Sequence, residues 1–122
     1  MLTSAAVCLA IAIHFEARGE PLAGQIAVAE TVMWRVKSPR YPNSVCAVVF
    51  QRGQFHGPLK HWRDSMPLPK FSKRTRMAVD WIYSDRPPLC VSEFFHRSRK
   101  VPSWGEFVCR IHNHTFYNRK GE

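Results

Sequence analysis

Acidic residues are scarce in this chain of 122 residues: nine Asp and Glu stand against 18 Lys and Arg, giving a formal net charge of +9 and a pI near 10.0. That balance draws anionic polymers by long-range attraction, and nucleic acid, anionic lipid and bacterial cell wall all qualify. Long apolar runs are also missing. The apolar stretch at 5–13 has nine residues, too few to span a bilayer. No Lys or Arg precedes it, so neither a secretory leader nor a transmembrane segment is expected. The four cysteines, Cys8, Cys46, Cys90 and Cys109, include no C-x-x-C pair, which argues against a zinc site. No internal repeat or low-complexity tract breaks the sequence.

What is present describes a globular protein. Hydrophobic residues make up 45% of the chain, enough to exclude general disorder, and the length suits one domain over 1–122 with a single core. The positive charge is concentrated late. Residues 1–44 hold four Lys/Arg against three Asp/Glu, and residues 45–122 hold fourteen against six. The cysteines allow two disulfides in an oxidising compartment, but their apolar settings favour four small buried hydrophobes in a reduced one.

The coarse order is mainly helical. Thr3 or Ser4 caps a first helix that runs to about residue 18 and is apolar on every side, as an interior helix is. Gly19 ends it. Pro21 opens a second helix, with Leu22, Ile26, Ala29, Met33 and Val36 on one stripe and Glu30, Arg35 and Lys37 off it. Ser44 caps a short third helix over 45–51. Residues 52–69 change to Gly, Pro, His and Lys, a long loop of the kind that is functional or mobile. A fourth helix covers 72–83, with Met77, Ala78, Trp81 and Ile82 inward. Residues 89–95 and 109–117 read as two strands of a small antiparallel element, with Pro102-Ser103-Trp104-Gly105 between them as a loop or one helical turn.

Glu16 is the residue around which this order makes sense. The apolar helix delivers a carboxylate in its last turn, where apolar neighbours favour the neutral form and raise the pKa. A general acid working near neutral pH needs that condition. The competing reading is a buried ion pair with Arg18 or another arginine, without chemistry. Glu20, just past the helix end, suits a structural role, pairing with a cation or capping the second helix. His112 and His114 alternate onto one strand face, but without a nearby carboxylate they are a weak metal signal. No metal or cofactor is expected.

The runs Glu16-Ala17-Arg18-Gly19-Glu20-Pro21 and Gly24-Gln25-Ile26-Ala27-Val28-Ala29 come first. Arg35-Val36, Tyr41-Pro42-Asn43-Ser44-Val45-Cys46, Val49-Phe50-Gln51 and Gln54-Phe55 follow. Phe94-Phe95-His96, Pro102-Ser103-Trp104 and Asn113-His114-Thr115-Phe116-Tyr117 complete the set. In order and spacing they resemble the SleB-type cell wall hydrolases of spore germination and phage lysis, over almost the whole chain. The resemblance implies a lysozyme-like α+β fold, mainly helical, and peptidoglycan glycan strands as substrate. It also implies Glu16 as the catalytic acid and base of a lytic transglycosylase that forms a 1,6-anhydro muramic product. Trp34 stands where the pattern leads one to expect Asn, His112 where Gly is expected, and the basic run at 97–100 is unusual.

Sugars present C–H faces that stack on rings, and loops carry binding residues, so Phe55 and Trp104 are candidates to line the cleft. Gln54, Phe95 and His96 are candidates for contacts to N-acetyl and hydroxyl groups, and Tyr117 for a hydrogen bond near the acid. The basic segment 60–76 reads as a solvated face or as adhesion to the anionic wall or outer-membrane lipid. The expected protein is a monomeric phage endolysin, made in the bacterial host cytoplasm and acting on the wall. A muramidase using water is the nearest alternative. A nucleic-acid-binding module is disfavoured, because no helix carries a regular basic stripe with base-reading residues.

Overall fold

A computed structural model of the chain describes residues 4–51 and 70–121. Among the described residues, four helices come first: α1 (Ala5–Ala17), α2 (Leu22–Lys37), α3 (Val45–Val49) and α4 (Lys73–Ile82), followed by β1 (Phe94–His96), β2 (Gly105–Ile111) and β3 (His114–Arg119). Three helices begin at a serine whose side chain accepts a backbone N–H three residues on: Ser4 from Val7, Ser44 from Ala47 and Ser72 from Thr75. This satisfies one of the donors a helix start leaves open. Pro21 precedes α2 and supplies no side-chain cap.

α2 organises the molecule because it is covered on two sides. Ile26, Ala29 and Val32 pack with α1 residues Leu9 and Ile13, α3 residues Val45 and Val48, and α4 residues Ala78 and Val79. Ala27 and Val28 join a second cluster with Ala17, Cys90 and Phe116 from the sheet side. The expectation that Glu30 and Arg35 lie away from the packed stripe is therefore corrected: both are buried, as are Gln25 and Thr31. Their polar groups are matched. Glu30 accepts the Leu89 and Cys90 N–H groups at 2.7 and 2.8 Å, and Arg35 Nε donates to the Glu93 carbonyl at 3.0 Å. In α4, Thr75, Ala78 and Val79 face inward, whereas Met77 is exposed, another departure from expectation.

The sheet has the order β1-β3-β2, antiparallel throughout. Residues 109–117 are not one strand. They are the two arms of a hairpin that turns at His112 and Asn113, with His112 at φ 51°. No glycine marks the turn, so the usual hairpin signal is absent. The first expected strand also shortens, since strand pairing begins only at Phe94. The Leu89 and Cys90 N–H groups go to Glu30, and that of Glu93 goes to the Asn118 side chain at 2.8 Å. Two disulfides, Cys8–Cys46 and Cys90–Cys109, use all four cysteines, which corrects the preference for free thiols. Burial and pairing are compatible, since Cys8 and Cys90 are both in the core.

Candidate active site

Glu16 lies in the last turn of α1, one residue before the buried Ala17, and is itself half-buried. It lines a polar pocket of about 210 Å³ together with Phe15, Arg18, Glu20, Arg97 and Asn113. The helix interior faces the core while the final turn opens onto this pocket. Gln25, fully buried in α2, holds the connection that follows. Its Nε2 donates to the carbonyls of Arg18 and Glu20, and its Oε1 accepts from Thr75 Oγ1 at 2.8 Å. Arg74 adds a third donor to that connection, at 3.0 Å from the Glu20 carbonyl. The end of α1 is thus clamped to α4 through α2.

Glu20 is the second carboxylate of the pocket and is 3% exposed. It accepts the Asn113 backbone N–H at 3.1 Å, Asn113 Nδ2 at 3.1 Å and His112 Nδ1 at 3.2 Å, and pairs with His114 Nδ1 at 3.5 Å. Burial pushes its carboxyl up, but the Asn113 N–H, His112, His114 and the Asn113 amide together outweigh that and hold it below its ordinary value. Glu20 therefore stays ionised and engaged, joining the α1–α2 connection to the β2–β3 turn. The sequence alone suggests that it pairs with a cation or caps the second helix; it is bonded instead to Asn113 and the His112 imidazole, and α2 has no side-chain cap. The His114 imidazole is held below its usual range, chiefly by burial, which prevails over the attraction of Glu20. His14 is lowered too, first by burial and then by Arg18, whose guanidinium is 3.1 Å from its Nε2.

The aromatic candidates divide between the two faces of the sheet, because neighbouring strand residues point to opposite sides. Phe95 packs toward the second core cluster, with ring centroids 5.3 Å from His114 and 5.8 Å from Phe116. His96, Trp104 and Tyr117 gather with Phe94: Tyr117 lies 4.8 Å from His96, 5.3 Å from Phe94 and 5.8 Å from Trp104. Tyr117 is buried and Trp104 is 49% exposed. The His96 Nε2 atom is buried without a hydrogen-bond partner among the described residues. None of Phe95, His96, Trp104 and Tyr117 lines the Glu16 pocket. Gln54, Phe55 and most of the basic segment 60–76 lie outside the described residues.

Arg97 and Asn113 are the pocket residues that reading the sequence for chemistry passed over. Each carried a faint signal, Arg97 in its basic run and Asn113 at the head of Asn-His-Thr-Phe-Tyr. Elsewhere, Glu93 is 1% exposed and fully engaged: it accepts Tyr41 Oη at 2.8 Å and Arg119 Nε at 3.1 Å. That network anchors β1 and performs no evident chemistry.

A family model described as Cell Wall Hydrolase matches residues 19–117, beginning three residues after Glu16. The spore cortex-lytic enzyme of Bacillus subtilis (strain 168) is 51% identical over 43 residues, 35% of this chain and 14% of that protein. Its counterpart in Bacillus cereus is 45% identical over 47 residues, 38% of this chain and 18% of that protein. The matched stretch is thus under a fifth of either relative's length. Among solved structures, the catalytic domain of the germination-specific lytic transglycosylase SleB from Bacillus anthracis superposes with a TM-score of 0.75 at 25% identity, covering 93% of both chains. The Bacillus cereus SleB catalytic domain shares the fold, with a TM-score of 0.75 at 24% identity over 93% of this chain and 88% of that one. The expected architecture, mainly helical with a small antiparallel sheet, is the one observed.

Proposed function

From the premise that the chain belongs to the Cell Wall Hydrolase family, we propose that it is a peptidoglycan lytic transglycosylase with Glu16 as its single catalytic carboxyl. Glu16 protonates the glycosidic oxygen between N-acetylmuramic acid and N-acetylglucosamine, and the C1–O bond breaks through an oxocarbenium-like state. The resulting carboxylate then takes the proton of the muramoyl 6-hydroxyl as that oxygen bonds to C1. The product is a 1,6-anhydro end, no water is consumed, and Glu16 regains its proton.

The supporting observation is the division of labour between two carboxylates in one pocket. Most glycosidases use a pair, one as acid and one as base or nucleophile. Here Glu20 is committed to the β2–β3 turn and held ionised, so a route that needs only one carboxyl suits the site. Glu16 is half-buried at the end of an apolar helix and lines the pocket, a placement that suits a general acid. The exposed Trp104 ring and the pair Gln54-Phe55 are assigned to the sugar. Action at the wall as a monomeric phage endolysin is part of the same reading, with the basic face bringing the enzyme to its anionic substrate.

The test is digestion of purified peptidoglycan by the wild type and Glu16→Gln side by side, with muropeptides read by mass spectrometry. The expected result is anhydro ends from the wild type and a loss of about 10²–10⁴-fold in rate for the variant, the usual contribution of a general acid. Reducing ends in place of anhydro ends would make it a hydrolysing muramidase. Full activity in Glu16→Gln would remove the residue from the mechanism.

A further inference from the structure

Two depressions meet at the C-terminal half of α2. One, of about 340 Å³, lies between α2 and the end of α4 and is lined by Trp34, Lys37, Trp81 and Arg86. The other, of about 470 Å³, shares Trp34 and Lys37 and adds Arg40. Both volumes fall in the range of ligand sites. The two adjoin at Trp34 and Lys37 and are taken together as one groove.

The groove has a defined chemical character. Its walls are two indoles, with the Arg86 guanidinium 4.8 Å from the Trp81 ring centroid. Lys37, Arg40 and Arg86 are exposed cations. The acidic liner, Glu30, is 6% exposed and both its oxygens already accept backbone N–H groups. The groove therefore suits an occupant with an apolar face for the Trp34 ring and anionic groups, carboxylates among them, for the cations. Trp34 is twelve residues along α2 from Leu22, about 18 Å at the helical rise, while the Glu16 pocket lies at the α1–α2 connection. One ligand unit does not fill both places.

We propose that this groove is a second binding site for peptidoglycan, in which Trp34 takes a sugar face and Lys37 and Arg86 take the carboxylates of the stem peptides. The proposal rests on peptidoglycan being the substrate. It adds a grip on the polymer remote from the bond that is cut, so it bears on insoluble wall far more than on short fragments.

The experiment uses the full chain carrying Glu16→Gln, so that binding is read without cleavage. Co-sedimentation with purified sacculi is compared for this protein, for the same protein with Trp34→Ala, and for the same protein with Lys37→Glu and Arg86→Glu. The charge reversals fall on exposed side chains and so test the groove without relying on the packing of Trp34. Each is expected to weaken sacculus binding about tenfold or more, and glycan strands stripped of peptide are expected to bind the unaltered groove more weakly than intact sacculi. With Glu16 restored, the groove variants should cleave a soluble two-disaccharide muropeptide at the wild-type rate and digest sacculi more slowly. Unchanged binding and digestion by both variants would overturn the proposal, as would equal binding of stripped and intact strands. Loss of binding to anionic phospholipid vesicles, with binding to sacculi retained, would overturn it in favour of a membrane site. Failure of the wild type to cleave either substrate would count against the catalytic reading, and the sedimentation result would still decide the groove.

Discussion

At the scale of single residues, the most consequential side chain after Glu16 is Glu20. Its carboxylate gathers three donors from the β2–β3 turn in a site that water barely reaches. Glu20→Gln removes the charge and turns an acceptor toward the same donors as an amide, leaving part of the turn unmatched. We expect a loss of about 1–3 kcal/mol in urea unfolding at pH 7, together with weaker cleavage because Asn113 borders the pocket. The pH dependence follows from the same group and its neighbours. Glu20 is held below 4.5 in the folded protein, so the unfolded chain takes up its proton first and stability is lost as pH falls below that value. His14 and His114 are held below 6.5, so their protonation also favours the unfolded chain as pH falls below 6.5. All three act in one direction. Melting temperature should fall in two stages, below about pH 6.5 and again below about pH 4.5, and in Glu20→Gln the lower stage should shrink. A flat melting profile from about pH 7 to about pH 4 would contradict this.

Among the elements, α2 bears the largest share of the architecture, and the disulfides fasten what surrounds it. Cys8–Cys46 joins α1 to α3 across 38 residues, and Cys90–Cys109 joins the segment before β1 to β2 across 19. Closing loops of these lengths restricts the unfolded chain, and each bond should contribute about 3–4 kcal/mol. Replacing either pair by serine, or unfolding with reductant present, is expected to lower the urea midpoint markedly. If reductant leaves the midpoint unchanged, the bonds do not stabilise the protein in solution. Local signals show much of this level: the Ser44 cap, the apolar run of α1 and the Pro21 start of α2 are where the sequence puts them. The hairpin was hidden, because its turn uses His112 with positive φ in place of glycine.

Over the whole molecule, net positive charge is the property that acts at the longest range. With +9 spread mostly over the last two-thirds of the chain, attraction to an anionic wall should be strong at low salt and screened at high salt. Sedimentation with sacculi should fall severalfold between about 0.05 and about 0.5 M NaCl, where the Debye length shrinks to a few ångströms. Binding that ignores salt would leave the net charge without a part in wall recognition.

Taken alone, the sequence determined the helices, the Ser44 cap, the mainly helical class and the glutamate at the end of α1. Each depends on residues within a turn or two of one another, and the run from Glu16 to Ala29 is specific enough to indicate a family. Only the tertiary structure decided that Glu30 and Arg35 are buried, that the cysteines pair, that Glu20 reaches His112, Asn113 and His114, and that Trp34 and Trp81 border one groove. Apart from the nearer Cys90–Cys109 pair, those contacts join positions far apart in the chain, from 38 residues for Cys8–Cys46 to 94 for Glu20 and His114. Local preference carries no record of which distant groups will be brought into contact. Burial does: a polar group enclosed by the fold must find its partner wherever the chain returns.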